Sequence, residues 1–244
     1  MNNNTTIEKL RQMRLLGMAE AHYGNMQLSN SQEYTIDQYL AMLVDQEWEY
    51  RQERKISNLK AKAKFKIQAS IRDVDYSHPR ELDRNLFERL STLEFIKKCE
   101  NIIITGPTGI GKSWLAQALG MHGCHMLYKT LYFNSARLMD EIKLTKLQGN
   151  YVSFLKKIQN TQLLILDDFG LSPLDREQRQ ALLDIVEYKY DQASIIFTSQ
   201  IPVQDWHGLI GESTIADAIL DRIVYSSHRI ELDGDTMRKN KLKK

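Results

Sequence analysis

The chain is poor in the residues that mark several large classes of protein. Its 244 residues include only two cysteines, Cys99 and Cys124, and no CxxC pair. Neither a disulfide framework nor a zinc ribbon is expected, and a reducing compartment fits. Four prolines and 12 glycines are too few for a fibrous or low-complexity chain. No apolar run approaches the ~18 residues that span a bilayer; the runs are short pieces such as LLIL at 163–166. The opening MNNNTTIEKLRQ lacks the apolar stretch of a secretory signal, so a cytoplasmic protein without a membrane partner is expected. An excess of one charge is missing too: 33 Lys and Arg face 31 Asp and Glu, a net of +2.

That near-balance hides an uneven distribution. Residues 51–66, RQERKISNLKAKAKFK, hold seven bases against the single acid Glu53, and the final RKNKLKK holds five bases and no acid. Clusters of this kind suit a polyanion. Arg54, Lys55, Lys60, Lys62, Lys64 and Lys66 are therefore candidate nucleic-acid contacts, against the plainer reading of a solvated helix face. Trp48 and Tyr50 beside them either stack on bases or pack the N-terminal helices together.

The chain reads as two parts. Residues 5–66 look helical, with Ile7, Leu10, Met13 or Arg14, and Met18 near one face. After a break at 29–31, one long helix carries a stripe of Ile36, Leu40, Leu43, Glu47, Tyr50 and Arg54. Thr35 and Gln38 form a capping-box pattern at its start. The irregular stretch near 66–76 then sets a helical N-terminal domain, residues 1–70, apart from a larger domain, 71–244. From residue 80 onward strands and helices alternate. Runs at 101–105, 130–134, 162–170, 194–200 and 228–232 read as strands. Ser135 is placed to cap the helix after the second strand, and Gly149 to stop it. Short strands that are apolar on both faces and separated by helices predict an α/β fold with a five-stranded parallel sheet covered on both sides.

Residues 106–113, GPTGIGKS, match GxxxxGK[ST] without a mismatch, after a strand and before a helix. Gly106, Gly109 and Gly111 let the backbone curl, so that the N–H groups of the loop, those of Thr108 and Ile110 included, surround a polyphosphate; Pro107, which has no N–H, belongs to the same loop. The helix starting near Lys112 aims its positive end at the same place. Lys112 can reach the β- and γ-phosphates, and the Ser113 hydroxyl can ligate Mg²⁺. Asp167 and Asp168 close the third strand at the same edge of the sheet. Asp167 is the expected Mg²⁺ ligand, and Asp168 the group that orients or deprotonates the attacking water. The strand at 130–134 lies between the phosphate-loop strand and the acidic strand in sequence, which points to the NTPases with an inserted central strand. The fourth strand ends in Thr198-Ser199-Gln200; Gln200 is the first candidate to hold the water or sense the γ-phosphate, Ser199 the second. His122, Cys124 and His125 look ligand-like, but only the two histidines share a helical face and no metal is expected there.

These pieces together resemble the AAA+ ATPases, and within them the IstB-like transposition helper proteins, with the DnaC-like helicase loaders more distant. The matching segments are GPTGIGKSWLAQALG, LLILDDFGL, TSQIPVQDWH, IADAILDRIVYSSHRIEL with GDTMRK after it, and the N-terminal LRQMRLLGMAEAHY. The resemblance covers nearly the whole chain. It implies a P-loop NTPase (AAA+) core with a small all-α N-terminal domain, ATP and Mg²⁺ as cofactors, and double-stranded DNA as a ligand. It further implies a homo-oligomer assembled with ATP and DNA, and a partner transposase. It places the arginine finger, which reaches the γ-phosphate of a neighbouring subunit, on Arg222, and the second sensor on Arg238. One departure is the Asp-Asp pair where many AAA+ proteins have Asp-Glu, which suggests slow turnover. A helicase loader is the nearest rival. A small-molecule P-loop kinase lacks an evident acceptor lid, and a DNA-binding scaffold with a decayed ATP site does not fit the intact loop.

Overall fold

The computed structural model describes residues 3–27 and 34–237. The chain forms two compact units, Met1–Asn58 and Leu59–Lys244. In the first, α1 (Asn3–Gln12) and α2 (Leu16–Gln27) precede α3 (Ile36–Ala63), whose last turns belong to the second. The helix expected through residue 18 breaks in two because Arg14 turns left-handed, φ +60°. The capping box at Thr35 forms: Gln38 N–H donates to Thr35 Oγ1 and Thr35 N–H to Gln38 Oε1. Glu47 on α3 is buried. Its carboxylate accepts the Met18 N–H at 3.2 Å, one of the orphan donors of α2, and Arg51 Nε at 2.6 Å. The stripe expected to face inward does so only in part. Ile36 and Leu40 are exposed, and Trp48 is 65% exposed, so Trp48 is not a packing residue of this unit.

The second unit runs α4 (Arg84–Ser91), α5 (Glu94–Lys97), β1 (Asn101–Thr105), α6 (Lys112–His125), β2 (Thr130–Asn134), α7 (Ser135–Leu147) and α8 (Tyr151–Gln159). It continues with β3 (Leu163–Phe169), α9 (Arg176–Lys189), β4 (Ser194–Ser199), α10 (Trp206–Ile210), α11 (Ser213–Val224) and β5 (Ser227–Glu231). The five strands expected from the sequence form one parallel sheet in the order β2-β3-β4-β1-β5. Successive strand residues go to opposite faces. Ile103, Leu164, Leu166, Ile195 and Phe197 join a core with α7–α11. Ile102, Ile104, Leu163, Ile165 and Ile196 join the other with α4–α6. Both faces of β1–β4 are dry, which is why the centres of those strands read as apolar runs.

One local expectation is corrected. Asn134, not Ser135, occupies the cap of α7, and it makes no capping bond because its amide is drawn to Asp168 at 3.0 Å. Ser135 is the first helical residue, with its hydroxyl buried and unpartnered. Before β1, α4 and α5 are divided where Leu93 takes φ +62°. Gly149 stops α7 as expected, at φ +73°. Both cysteines are free thiols. Among the described residues no helix is long and apolar enough to cross a membrane, and no group of three potential metal ligands occurs.

Lys189, at the end of α9, is buried, and Nζ donates to the Thr161 carbonyl at 2.5 Å and to its hydroxyl at 2.7 Å. Burial without a carboxylate partner pushes its pKa down to about 7. The unfolded chain then binds one more proton than the folded one between pH ~7 and ~10.4, so the cost of burying Lys189 is full below that window and shrinks as pH rises through it. Relative to Lys189→Met, the unaltered chain should gain about 2–3 kcal/mol between pH 6 and 9.5. Denaturant titrations at both pH values measure it; a pH-independent difference would mean that the buried amine stays charged.

Candidate nucleotide site

The loop 106–113 leaves β1 and enters α6 with Gly106, Gly109 and Gly111 all at positive φ. Gly111 shows why no side chain fits: at φ +101°, an added Cβ would lie 2.6 Å from the Arg80 guanidinium. Ile110 is fully buried and pins the loop to the core. Lys112 is buried at the first turn of α6, and its ammonium donates to the carbonyls of Gly106 at 2.8 Å and Pro107 at 2.9 Å. The cation is thus folded into the mouth of its own loop, where phosphate oxygens can replace the two carbonyls.

At the end of β3 the ladder with β4 slips: Leu166 pairs with Phe197, then Phe169 with Ser199. One extra residue is accommodated because Asp168 turns left-handed, φ +57°, a conformation Asp tolerates better than most. In a regular strand the two carboxylates would point to opposite faces; here both line one cavity. Asp167 is buried. It accepts from the Tyr132 hydroxyl at 2.6 Å and from the Thr198 hydroxyl. Thr198 Oγ1 in turn accepts the Asp168 N–H at 3.0 Å. One hydroxyl therefore fixes both acids. Burial and the Asp167 hydrogen bond raise the Tyr132 pKa, keeping it a donor. Asp168 accepts from Asn134. Burial and the neighbouring Asp167 charge raise its pKa, with Lys112, Lys66 and the Asn134 bond opposing them.

The cavity has a volume of about 540 Å³, within the range of small-ligand sites. Of the candidates, Thr108, Gly109, Gly111, Lys112, Ser113, Asp167, Asp168 and Gln200 line it. Gly106 and Pro107 line the adjoining hollow, where Gln200 also reaches. Ser199 is committed elsewhere: its hydroxyl donates to the Phe169 carbonyl and accepts the Ile201 N–H. Four residues at the site escape sequence reasoning. Thr198 and Asn134 end strands on the phosphate-loop edge, a position that could have marked them. Tyr132 lies two residues before Asn134 on the same strand face. Arg80 carries no local signal; its guanidinium donates to the Ile110 carbonyl at 3.1 Å and to the Asp75 carbonyl at 2.9 Å, bracing the loop from outside. Met237 adds a backbone bond to the Gly109 carbonyl.

Asp167 suits a divalent cation on the chemistry of its surroundings. It is a buried carboxylate whose hydrogen-bond donors are neutral hydroxyls, and it shares the cavity with the Ser113 hydroxyl. Hard oxygen donors of this kind suit Mg²⁺.

Arg222 lies elsewhere. It pairs with Glu187 at 2.6 Å, donates to the Ala218 carbonyl, and stands over the Tyr190 ring. The Asn101 amide bonds the Arg222 backbone carbonyl, which places this end of α11 at the start of β1. The phosphate loop leaves the other end of that strand, about 13 Å away at 3.3 Å per residue. Arg238 lies outside the described residues. Arg54, Lys55 and Lys62 are exposed, Lys64 stands 3.8 Å from Glu141, and Lys66 lines the cavity.

The family model described as IstB-like ATP binding protein matches residues 8–244. The insertion sequence ATP-binding protein y4pL of Sinorhizobium fredii is 42% identical over 239 residues, covering 98% of each chain. The ATP-binding protein of insertion sequence IS1162 from Pseudomonas fluorescens is 34% identical over 203 residues, covering 83% of this chain and 88% of the relative. Among solved structures, DnaI superposes with a TM-score of 0.59 at 24% identity, over 68% of this chain and 91% of its own. The DnaC helicase loader superposes with a TM-score of 0.52 at 22% identity, over 65% and 94%. At these identities the likeness speaks for the fold alone.

Proposed function

We propose that this chain, which belongs to the family of IstB-like ATP-binding proteins, hydrolyses ATP and acts on double-stranded DNA as the helper of an insertion-sequence transposase. The observation that carries the reading is the convergence of Lys112, Ser113, Asp167 and Asp168 on one cavity. The backbone N–H groups of residues 106–113 cradle the phosphates. Lys112 leaves the Gly106 and Pro107 carbonyls for the β- and γ-phosphates. Ser113 and Asp167 would hold Mg²⁺, which would supply charge neutralisation. Asp168, fixed through Thr198 and Asn134, orients the attacking water and accepts its proton, with Gln200 beside the terminal phosphate. Arg222 completes the site of a neighbouring copy, and Arg238 is the second sensor. The helical N-terminal part serves DNA and transposase contacts, with Arg54, Lys55, Lys60, Lys62 and Lys64 on the phosphate backbone; the unit Leu59–Lys244 carries the ATPase. Work on DNA with a transposase places the chain in the cytoplasm. The relatives named for insertion sequences favour a transposase partner over a replicative helicase; the loader structures support the fold.

Duplex DNA should stimulate ATP turnover irrespective of its sequence. The combined change of Lys60, Lys62 and Lys64 to Ala should weaken duplex binding uniformly. It should also flatten the log–log salt dependence by about one unit per lost phosphate contact. Binding isotherms at several salt concentrations measure both; an unchanged slope would return this segment to a solvated helix face.

A further inference from the structure

Lys66 ends the basic run in sequence but occupies a different place in space. The ammonium of Lys64, two residues earlier, stands 3.8 Å from Glu141, and Lys64 itself takes φ +61°, which ends α3 and redirects the chain. Phe65 then packs against Tyr132, ring centroids 6.5 Å apart, and fills the space left by Gly120, where a Cβ would lie 2.9 Å from the Phe65 ring. The next two backbone N–H groups, of Lys66 and Ile67, both donate to Gln117 Oε1 on α6, at 2.8 and 3.2 Å. The other end of that amide donates to the Ser113 carbonyl at 3.2 Å. The backbone at residue 66 is thereby tied to the first turns of the helix that carries Lys112 and Ser113.

From this anchored position the side chain reaches the nucleotide cavity, which it lines together with Lys112, Ser113, Asp167 and Asp168. Its ammonium stands 5.6 Å from the centre of the Tyr132 ring, and the hydroxyl of that ring is bonded to Asp167. Lys66 therefore approaches the end of the cavity where the acidic pair lies. That end receives the terminal phosphate in the ATPase reading above, on which this inference rests. A triphosphate brings more negative charge there than a diphosphate. A flexible cation on a fixed backbone is suited to meet that difference.

We propose that Lys66 is a second cation of the nucleotide cavity, contacting the terminal phosphate of a bound nucleoside triphosphate in addition to Lys112. It acts within its own subunit and distinguishes triphosphate from diphosphate. The competing role is that of one more DNA contact in series with Lys60, Lys62 and Lys64. The two roles differ in what they discriminate: a cavity cation separates ATP from ADP, whereas a DNA contact alters the salt dependence of duplex binding and leaves the nucleotide ratio alone.

The test is equilibrium binding of ATP and ADP with Mg²⁺ to the full chain, to Lys66→Ala, to Lys66→Arg, and to Lys64→Ala as the neighbouring-charge control. Lys66→Ala should bind ATP about tenfold more weakly, as expected for one partly solvated cation, with ADP changed less than about twofold. Lys66→Arg should recover most of the loss, and Lys64→Ala should show none. The salt slope of duplex binding by Lys66→Ala should match that of the unaltered chain. Because Lys66 is exposed, the fold should survive, which the thermal melt of each variant checks; Lys66→Gln replaces the alanine variant if that one melts early. An unchanged ATP-to-ADP ratio overturns the assignment while leaving the ATPase reading intact. A slope reduced by about one unit with the ratio unchanged places Lys66 on DNA instead. Failure of the unaltered chain to bind ATP removes the ATPase reading and this inference together.

Discussion

A chain carrying Arg222→Ala should bind ATP as the unaltered chain does and yet lose about 10³-fold of its DNA-stimulated hydrolysis. The first half follows from position. Arg222 is held at the start of β1 by Glu187, the Ala218 carbonyl and the Tyr190 ring, and its own phosphate loop begins at the opposite end of that strand. Nothing that grips nucleotide within the subunit depends on it. The second half follows from chemistry. A guanidinium brought in by a neighbouring copy meets the charge that develops on the transferred phosphoryl group. For that the Glu187 pair must open. The pair is half-solvated, Arg222 side chain 26% and Glu187 50% exposed, so opening it costs about 1 kcal/mol or less. Specific activity should rise with protein concentration and with DNA. Mixing the Arg222→Ala chain, which keeps a sound loop, with a Lys112→Ala chain, which keeps a finger, should restore part of the activity through composite sites. Normal hydrolysis by Arg222→Ala alone, or a dead mixture in which both chains still assemble on DNA, would remove the finger from Arg222.

Lys112→Ala should lower ATP affinity by about 10²-fold or more. An unscreened unit charge at ~4 Å is worth ~4 kcal/mol at an effective dielectric of ~20, and water in the cavity reduces that. In the free chain Lys112 satisfies the Gly106 and Pro107 carbonyls, so its removal also loosens the loop that must receive the phosphates. The fold should persist, because Ile110 and the α6 core are unaffected. Equilibrium titration with a fluorescent ATP analogue measures the affinity; an affinity within about threefold of the unaltered chain would contradict the assignment of the cavity.

Much of the second unit is legible from local sequence, for identifiable reasons. The strands at 101–105, 163–169 and 194–199 are buried on both faces, so the runs 102–104, 163–166 and 195–197 within them are uniformly apolar. The loop needs three glycines and a lysine at fixed spacing, a pattern no ordinary turn imposes. Other features depend on contacts between distant residues. The left-handed turn at Asp168 is set by a register slip between two strands. The role of Thr198 arises only when β3 and β4 lie side by side. Arg80 meets the Ile110 carbonyl across 30 residues of chain. The same holds where a cluster of like charges divides: Lys60 to Lys66 read as one basic face, yet the left-handed turn at Lys64 sends Lys66 into the cavity. In the first unit, helical periodicity marks the stripe of α3 but does not say which neighbour covers it, and Ile36, Leu40 and Trp48 are exposed.

The most direct measurement of ATP-driven action on DNA is sedimentation velocity of the full chain with Mg²⁺, with and without ATP and duplex DNA. In the presence of Mg²⁺, ATP and duplex together should produce a fast-sedimenting assembly that ADP does not support, and Lys112→Ala should abolish it. Sedimentation as a single small species in every condition, while nucleotide is demonstrably bound, would contradict assembly of this ATPase on DNA.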